Sequence, residues 1–390
     1  MRFLIMSICA LALPAVTLAD TSAPEYDVDL VTATSGFDGE TCWVHPRAGA
    51  IPGNPSTVVM TTQKLLLSGS DIFYELNSLR TTDLGKTWTA PAPQEHFKRR
   101  VEADGREVVV CDFTPKWHAA TGTLLGTGHL ARYENNRLVR DHRRGISYAA
   151  YDQENHAWRP WREVAVPDPE KFYNAGAGCS QRVDLPNGDI LLPVYFKSTV
   201  DEPYSATVFH CTFDGETLAY AGHGSEHFIP VQRGFAEPSL AQSGGQYFLT
   251  LRNDVAGYVT SSTDGLHFHT PVKWRFDDGK ELGSYNTQQH WVTHGDDLYL
   301  VYTRRGAGND HVFRHRAPLF IAQVDKEALR VIRATERILV PERGARLGNF
   351  AVTEVSANET WVTVAEWMQP EGVEKHGSDN SIYAARILWK

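Results

Sequence analysis

The sequence has few of the features that mark helical, metal-binding or membrane-spanning proteins. Only five of its 390 residues are cysteines, and their wide spacing contains no CxxC pair and no Cys/His cluster of the kind that binds zinc. After Asp20, no segment reaches the roughly 18 consecutive apolar residues that a transmembrane helix requires. Amphipathic stretches longer than about two helical turns are also missing. These absences argue against a helical bundle, a metal site and a membrane span.

Positive charge is also scarce. The chain has 38 Lys and Arg residues against 47 Asp and Glu residues, for a formal net charge of -9. This balance disfavours nucleic acid or an anionic membrane as the main partner. An acidic substrate would have to be bound by a local group of arginines acting against the overall field. We expect no cofactor and no metal, and we expect a monomer.

The N-terminus, MRFLIMSICALALPAVTLAD, has the layout of a secretory signal peptide, with Arg2 before an apolar run and small residues ending at Ala19. We expect cleavage after Ala19 and an exported protein, secreted or periplasmic, that comprises residues 20–390. An oxidising compartment permits disulfides. Because the spacing shows no disulfide framework, we favour buried free thiols for the cysteines that remain, which are Cys42, Cys111, Cys179 and Cys211.

Short strand-like runs fill the rest of the chain and are separated by Gly, Asp and Asn turns. Examples are VVMTTQKLLL, DILLPVYF, QYFLTLRN, DLYLVYTRR, LFIAQVD, TWVTVAEW and SIYAARILW. The runs fall into six groups, at 42–92, 108–165, 175–231, 235–276, 285–341 and 347–390. We predict one all-β domain, a six-bladed β-propeller over 20–390 that Tyr26 to Thr34 closes by pairing with the last blade. A pair of β-sandwiches is the alternative.

Two turns share a pattern, TTDLGKTW at Thr81–Trp88 and SSTDGLHF at Ser261–Phe268. In each turn an aspartate can accept backbone N–H bonds, a glycine allows a positive φ, and a final aromatic ring packs under the sheet. A degenerate copy, AAYDQENHAWRPW, keeps Asp152 and Trp158. The predicted positions are Asp83, Gly85 and Trp88 in the first turn and Asp264, Gly265 and Phe268 in the second. Such recurrence favours repeated hairpins.

These turns resemble the Asp-box of the sialidase superfamily, and other segments extend the resemblance. FAEPSLAQSGGQYFLTLRND is similar to the sialidase segment that supplies a buried glutamate and one arginine of a carboxylate-binding triad, here Glu237 and Arg252. In RHRAPLFIAQVD, Arg316 lies where the family has its last triad arginine. The first triad arginine precedes an Ile-Pro pair in the family; Arg47, in RAGAIP, is near that position but has two residues inserted. Asp71, in SGSD, matches the acid/base aspartate.

The resemblance implies an exo-type glycoside hydrolase that acts on glycans with a terminal acidic sugar. Three guanidiniums can orient one carboxylate by charge-assisted, partly bidentate bonds, which lysines would not do. In this interpretation Arg47, Arg252 and Arg316 bind the carboxylate, Asp71 is the general acid, and Glu237 is a base or orients an arginine.

One departure from the family affects the mechanism. Sialidases use a tyrosine nucleophile, and this sequence has Asn349 and Phe350 at that position, in LGNFAVTEV. Glu237 could activate water directly, which would give an inverting hydrolase with Asp71 as acid. Alternatively, Tyr285 in GSYNTQQHW could enter the site. A third possibility is a polysaccharide lyase that acts on uronates through His or Tyr. Outside enzymes, the alternative is a glycan-binding propeller without catalysis.

Several polar residues in strand starts and loops are further candidates for binding substrate. His118 lies in KWHAATGTLLGTGH, Gln289 and His290 lie in the polar run NTQQH, and His311 lies in the loop GNDHVFRHR. A lyase base could also come from this pool, which extends to His45, His129 and His315. The more common alternative for each is a histidine that hydrogen-bonds a neighbouring sheet.

Overall fold

The computed structural model describes residues 25–69, 71–140 and 143–390. Within these ranges the chain forms six antiparallel sheets and four short 3-10 helices. The helices span Glu95–Phe97, Phe313–His315, Arg333–Thr335 and Val373–His376. No helix of the described ranges is long and apolar enough to cross a bilayer. The expected signal peptide, residues 1–19, lies outside the described residues.

The strands follow one another sheet by sheet along the chain. The first described strand is β1 (Tyr26–Thr34). The first sheet contains β2 (Thr41–Ile51), β3 (Thr57–Leu66), β4 (Phe73–Thr81) and β5 (Ala92–Pro93). The second sheet contains β6 (Arg100–Val101), β7 (Glu107–His118), β8 (Thr123–Glu134), β9 (Arg137–Leu138), β10 (Ile146–Asp152), β11 (Ala157–Trp158) and β12 (Arg162–Glu163). The third sheet contains β13 (Asn174–Gly176), β14 (Val183–Asp184), β15 (Ile190–Lys197), β16 (Ser205–Phe213) and β17 (Leu218–His223).

The second half of the chain continues in the same way. The fourth sheet contains β18 (Ala236–Ser243), β19 (Gln246–Arg252), β20 (Tyr258–Ser262) and β21 (Val272–Lys273). The fifth sheet contains β22 (His290–His294), β23 (Asp297–Tyr302), β24 (Leu319–Asp325), β25 (Arg330–Val331) and β26 (Arg337–Val340). The sixth sheet contains β27 (Ala351–Ser356), β28 (Glu359–Ala365), β29 (Ile382–Trp389) and, at its edge, β1.

The sheets pack into a closed ring. Each sheet shares a buried apolar cluster with the next sheet along the chain. A further cluster joins the first and sixth sheets, with Val58 and Met60 on one side and Trp361 and Ala384 on the other. A sheet with neighbours on both faces buries both sides of its strands, which explains continuous apolar runs such as ILLPVYF in β15. The ring is a β-propeller, so the all-β propeller prediction is confirmed.

The chain closes the ring with its own N-terminal strand. Tyr26 pairs with Trp389 and Thr32 pairs with Tyr383 in an antiparallel ladder between β1 and β29. Closure by Tyr26 to Thr34 is therefore confirmed. Pairing the two ends of the chain removes an exposed sheet edge and ties the last sheet to the start of the fold.

The two recurrent turns have the predicted hydrogen bonds. The Asp83 carboxylate accepts the backbone N–H of Thr87 at 2.9 Å, and the Asp264 carboxylate accepts that of His267 at 2.7 Å. The turn glycines have positive φ, 80° at Gly85 and 76° at Gly265, and the final aromatic residues Trp88 and Phe268 pack into apolar clusters. The four described cysteines are buried free thiols, as predicted: Cys42, Cys111, Cys179 and Cys211.

Candidate active site

Three inner strands of the ring carry a β-bulge that turns a polar residue toward one cavity. The pairing register shifts in β2, β7 and β18. The bulge residues have positive φ, which is 53° at His45, 52° at Asp112 and 45° at Glu237. Each left-handed non-glycine residue costs about 1–3 kcal/mol of conformational free energy, and bulges re-aim side chains. All three residues line the cavity, so the strands lose regular pairing where the site is built.

The cavity has a volume of about 1350 Å³ and an excess of positive charge. Among the described residues, eight arginines and four carboxylates line it, although the chain as a whole has a net charge of -9. The arginines are Arg137, Arg140, Arg144, Arg233, Arg252, Arg314, Arg316 and Arg346, and the carboxylates are Asp71, Asp112, Glu237 and Glu371. A cavity of this charge in an acidic protein favours an anionic ligand.

Two of the predicted site arginines are held side by side by one asparagine. Arg252, at the end of β19, donates from Nη1 to Glu237 Oε1 and from Nη2 to Asn286 Oδ1 at 3.1 Å. Arg316 donates from Nη2 to the carbonyl oxygen of Asn286 and to its Oδ1 at 3.2 Å. Asn286 therefore fixes both guanidiniums, and of the two only Arg252 has a carboxylate partner among the described residues.

The remaining positive charge is poorly compensated. In the described part of the chain, Arg314, Arg316 and Arg346 form no salt bridge, and the buried Nε–H groups of Arg316 and Arg346 have no hydrogen-bond partner. Burial, together with the charges of Arg252, Arg346 and Arg314, holds the pKa of Arg316 well below its usual value. Burial and the charge of Arg314 lower the pKa of Arg346 to about 10. A bound anion would relieve this repulsion.

Asp71 lies on an exposed loop at the cavity wall. Its backbone has a positive φ of 55°, and the Tyr133 hydroxyl donates to its carbonyl oxygen at 2.7 Å. The loop is thus anchored through its main chain, and Asp71 itself lines the cavity. The structure brings together four of the predicted site residues, which are Asp71, Glu237, Arg252 and Arg316.

Arg47 is not placed to bind a substrate carboxylate. It is fully buried below the cavity, where Nη2 donates to Asp112 Oδ1 at 2.8 Å and to Cys179 Sγ at 3.0 Å. Its Nη1 donates to the carbonyl oxygen of Phe350 at 3.2 Å. Since the β2 bulge precedes Arg47, the residue that reaches the cavity from this strand is His45. The expected role of Arg47 is corrected to holding Asp112.

Tyr285, the candidate nucleophile, lies outside the cavity. Its hydroxyl is 2.6 Å from His315 Nδ1, and the Arg305 guanidinium stacks on its ring at 4.2 Å. Asn349 lines the cavity and donates to His45 Nε2 at 2.8 Å, while Phe350 is fully buried.

The other polar candidates also lie outside the cavity, in structural contacts. His118 bridges Thr121 Oγ1 and the Gly188 carbonyl oxygen, both at 2.8 Å. His290 contacts Ser239 Oγ at 2.7 Å through Nδ1, and burial lowers its pKa.

Gln289 and His311 have comparable local roles. The Gln289 side chain donates to Ser284 Oγ at 3.0 Å and accepts from Thr250 Oγ1 at 3.1 Å. His311 contacts Glu342 Oε1 at 2.9 Å on the surface. These four side chains hold neighbouring strands and loops together, the more common of the two alternatives for such residues.

Two parts of the site were missed by sequence reasoning. Arg346, three residues before Asn349, enters the cavity over the Trp367 ring at 4.3 Å. Tyr195 and Arg144 line the same cavity from the third sheet and from the loop before β10. The available signal for Arg346 was its place in RGARLGNF, three residues before Asn349, where the resemblance puts the tyrosine. No pattern in the sequence distinguishes Tyr195 from the other strand tyrosines.

Comparison with known proteins identifies the fold and no family. Neither the protein-family models nor the curated proteins match this chain. Among solved structures, a protein of unknown function from Dyadobacter fermentans aligns with a TM-score of 0.62 at 14% identity, over 94% of this chain and 100% of its own.

Two sialidases align in the same way. The Trypanosoma rangeli sialidase has a TM-score of 0.61 at 14% identity, over 94% of this chain and 60% of the sialidase. A Hadza microbial sialidase has a TM-score of 0.61 at 12% identity, over 88% of this chain and 66% of that sialidase. This chain therefore spans about 60% of the length of the trypanosomal enzyme. At such identities the likeness establishes a sialidase-like β-propeller fold.

Proposed function

We propose that the protein is an exported glycoside hydrolase that removes a terminal acidic sugar from glycans. The observation that carries this proposal is the group of uncompensated arginines, Arg314, Arg316 and Arg346, beside the paired Arg252. Arg316 and Arg346 are buried, and buried cationic groups without a counter-charge are unfavourable in a folded protein. A carboxylate bound among them would supply the missing charge and accept the N–H groups of Arg316 and Arg346 that have no partner among the described residues.

Arginine suits a carboxylate better than lysine does, because its planar fork donates two parallel hydrogen bonds to the two oxygens. Arg316 and Arg252 are already oriented by Asn286. Arg346 takes the place that the sequence resemblance gave to Arg47. In this proposal the carboxylate binds between these arginines, and the rest of the sugar lies in the 1350 Å³ cavity.

Asp71 is the proposed general acid. Its carboxylate is exposed and belongs to a loop of the cavity wall that is anchored through its main chain, so it can approach the leaving glycosidic oxygen when a substrate is bound. Substrate binding would exclude water from the carboxyl group and favour its protonated form. Glu237 is bound to Arg252, and its proposed role is to orient that arginine.

The sialidase-like fold supports an acidic sugar as substrate, and the Trypanosoma rangeli protein is named as a sialidase. We also propose that the six sheets are the six blades of one domain, that the first 19 residues direct export, and that the protein is a monomer. A uronate lyase is a second candidate, favoured by His129 and Tyr195 in the same cavity.

The test uses the purified mature protein and a panel of sialylated and uronate-containing glycans. Released reducing sugar and the ultraviolet absorbance of unsaturated uronates are recorded in the same samples for wild type, Asp71→Asn and the control Asp104→Asn. Asp104 lies in an exposed turn, where its carboxylate accepts a hydrogen bond from the backbone N–H of Arg106. General-acid catalysis contributes about 10²–10⁴-fold, so we expect Asp71→Asn to lose that much release and the control to match wild type.

Ultraviolet absorbance that persists in Asp71→Asn would refute hydrolysis and support the lyase. Binding of acidic oligosaccharides without product in either channel would support a glycan-binding propeller. Release of neutral sugars alone would refute the role given to the arginines.

A further inference from the structure

A tyrosine hydroxyl in the cavity wall is flanked by a base and a cation. Tyr195, on β15, has its hydroxyl 3.3 Å from His129 Nδ1 and accepts a hydrogen bond from Arg144 Nη1 at 3.3 Å. All three residues line the cavity that holds Asp71 and Glu237. A phenol placed between a proton acceptor and a guanidinium can lose its proton to the first while the second stabilises the oxygen's negative charge.

A buried carboxylate lies close to the histidine. Asp112 Oδ2 lies 3.9 Å from His129 Nδ1, where its charge stabilises an imidazolium. Arg47 donates to Asp112 Oδ1 at 2.8 Å, and His45 Nδ1 lies 3.3 Å from the same oxygen. Burial works against ionisation of Asp112, but the electrostatic attraction of its neighbours His45 and Arg47 holds its pKa far below the usual value. Asp112 is therefore an anion.

Two glycines leave the space that this arrangement needs. A Cβ atom on Gly176 would lie 2.8 Å from the Tyr195 hydroxyl oxygen and 3.0 Å from His129 Cβ. A Cβ atom on Gly178 would lie 2.0 Å from His129 Nδ1. Because real Cβ atoms do not approach so closely, any larger residue would displace the histidine or the tyrosine. The backbone of the third sheet thus permits the contact between the two side chains.

We infer that Tyr195 is the nucleophile of this enzyme, with His129 as its base, an inference that rests on the proposed hydrolase function. Three observations support it. By the sequence resemblance, Asn349 and Phe350 stand where the family has its tyrosine. Tyr285 lies outside the cavity, and the carboxylate of Glu237 is bound to Arg252. The nucleophilic oxygen is therefore the Tyr195 hydroxyl of the third sheet, since Asn349 and Phe350 have no hydroxyl.

The proposed hydrolysis has two half-reactions. The Tyr195 oxygen forms a bond to the anomeric carbon while the glycosidic C–O bond breaks; the phenol proton passes to His129, and Asp71 gives its proton to the leaving oxygen. Water then attacks the anomeric carbon and the tyrosyl C–O bond breaks. Asp71 takes the proton from water, and His129 returns its proton to the Tyr195 oxygen. Two displacements at one carbon retain its configuration.

The resting tyrosine is neutral. Burial raises the pKa of Tyr195 well above its usual value and outweighs the opposite effect of Arg144, while Tyr204, Glu237 and Cys179 add to the rise. A phenol of this kind becomes a nucleophile only when a base accepts its proton during attack. His129 is therefore as necessary to the step as Tyr195.

The experiment follows turnover and product configuration on an acidic glycan that the wild-type enzyme cleaves. Proton NMR of the first product should show retention. Tyr195→Phe, which removes only the hydroxyl, should lower kcat on the order of 10³-fold or more. The free acidic sugar should still raise the thermal midpoint of this variant as it does that of wild type. His129→Gln should also reduce kcat. Tyr302→Phe removes another buried hydroxyl, which lies in the fifth sheet and donates to Glu336, and this variant controls for lost stability.

A substitution of Tyr195 by a smaller side chain tests the same role through the configuration of a second product. Tyr195→Ala opens a space in which added azide can attack, and the glycosyl azide formed should have the inverted configuration. An inverted product from wild type, or a Tyr195→Phe enzyme within about tenfold of wild type, would overturn this inference and leave the hydrolase intact. If wild type cleaves no acidic glycan of the panel, the proposed function fails and the inference fails with it.

Discussion

Replacing Arg346 by glutamine should stabilise the ligand-free protein and weaken its binding of anions. Burial and the neighbouring Arg314 lower the pKa of Arg346 from 12.5 to about 10, which corresponds to roughly 3 kcal/mol of unfavourable free energy for the charged side chain in the folded state. The substitution also removes favourable contacts. The hydrogen bond to Gln369 Oε1 at 3.1 Å is worth about 1 kcal/mol, and the stacking on Trp367 at 4.3 Å about 1 kcal/mol.

The balance predicts a gain of about 1 kcal/mol in the free energy of unfolding, since about 3 kcal/mol of penalty is removed and about 2 kcal/mol of contacts is lost. Urea denaturation measures it through the midpoint at constant m-value. Thermal unfolding with and without added N-acetylneuraminic acid or glucuronic acid measures anion binding through the ligand-induced shift. We expect Arg346→Gln to lose most of that shift.

Arg343 provides the matched control, three residues earlier in the chain. It is partly exposed and lies 3.3 Å from Glu366 and 3.4 Å from Asp379. Its replacement by glutamine should not stabilise the protein and should leave the anion-induced shift unchanged. An Arg346→Gln variant that is less stable by more than about 2 kcal/mol, with an unchanged shift, would show that Arg346 is structural and refute the reasoning.

Three further predictions follow from charge, burial and packing. Hydrogen bonds lower the pKa of Asp83 from 3.8 to about 2. They stabilise the fold at pH values above 3.8 and are lost as the pH falls toward 2. The thermal midpoint of wild type should therefore fall more steeply between these pH values than that of Asp83→Asn. Burial raises the pKa of Cys42 to about 11 and of Cys211 to about 12; a thiol reagent at pH 8 should modify them only after unfolding. Gly178→Ala should displace His129 and lower kcat by at least about tenfold with a stability loss of about 1–3 kcal/mol, whereas near-normal turnover would contradict the packing.

The local structure of the propeller could be predicted from the sequence. Apolar runs of four to eight residues bounded by turn residues gave the strands, and the pairing of Tyr26 to Thr34 with the last strand was anticipated. The bonds of Asp83 and Asp264 within their turns were also anticipated. These features depend on residues close in sequence, or on chain ends that must pair to remove an edge.

The site was predicted only in part. Asp71, Glu237, Arg252 and Arg316 reach the cavity, but Arg47 is buried beneath it. The reason is backbone geometry: bulges in β2, β7 and β18 change which side chain of each strand points inward. A bulge at a non-glycine residue leaves no mark in composition or periodicity.

The sequence by itself determined the strand pattern, the recurrent turns and four of the polar residues that face the cavity, because hydrophobic periodicity and turn chemistry act over short distances. The tertiary structure alone decided which charges are left without partners and which hydroxyl has a base beside it. Arg346 comes from the last part of the chain and Tyr195 from the third sheet, and they share a cavity only because the ring closes. Burial and the neighbouring charges, rather than residue type, then set their pKa values.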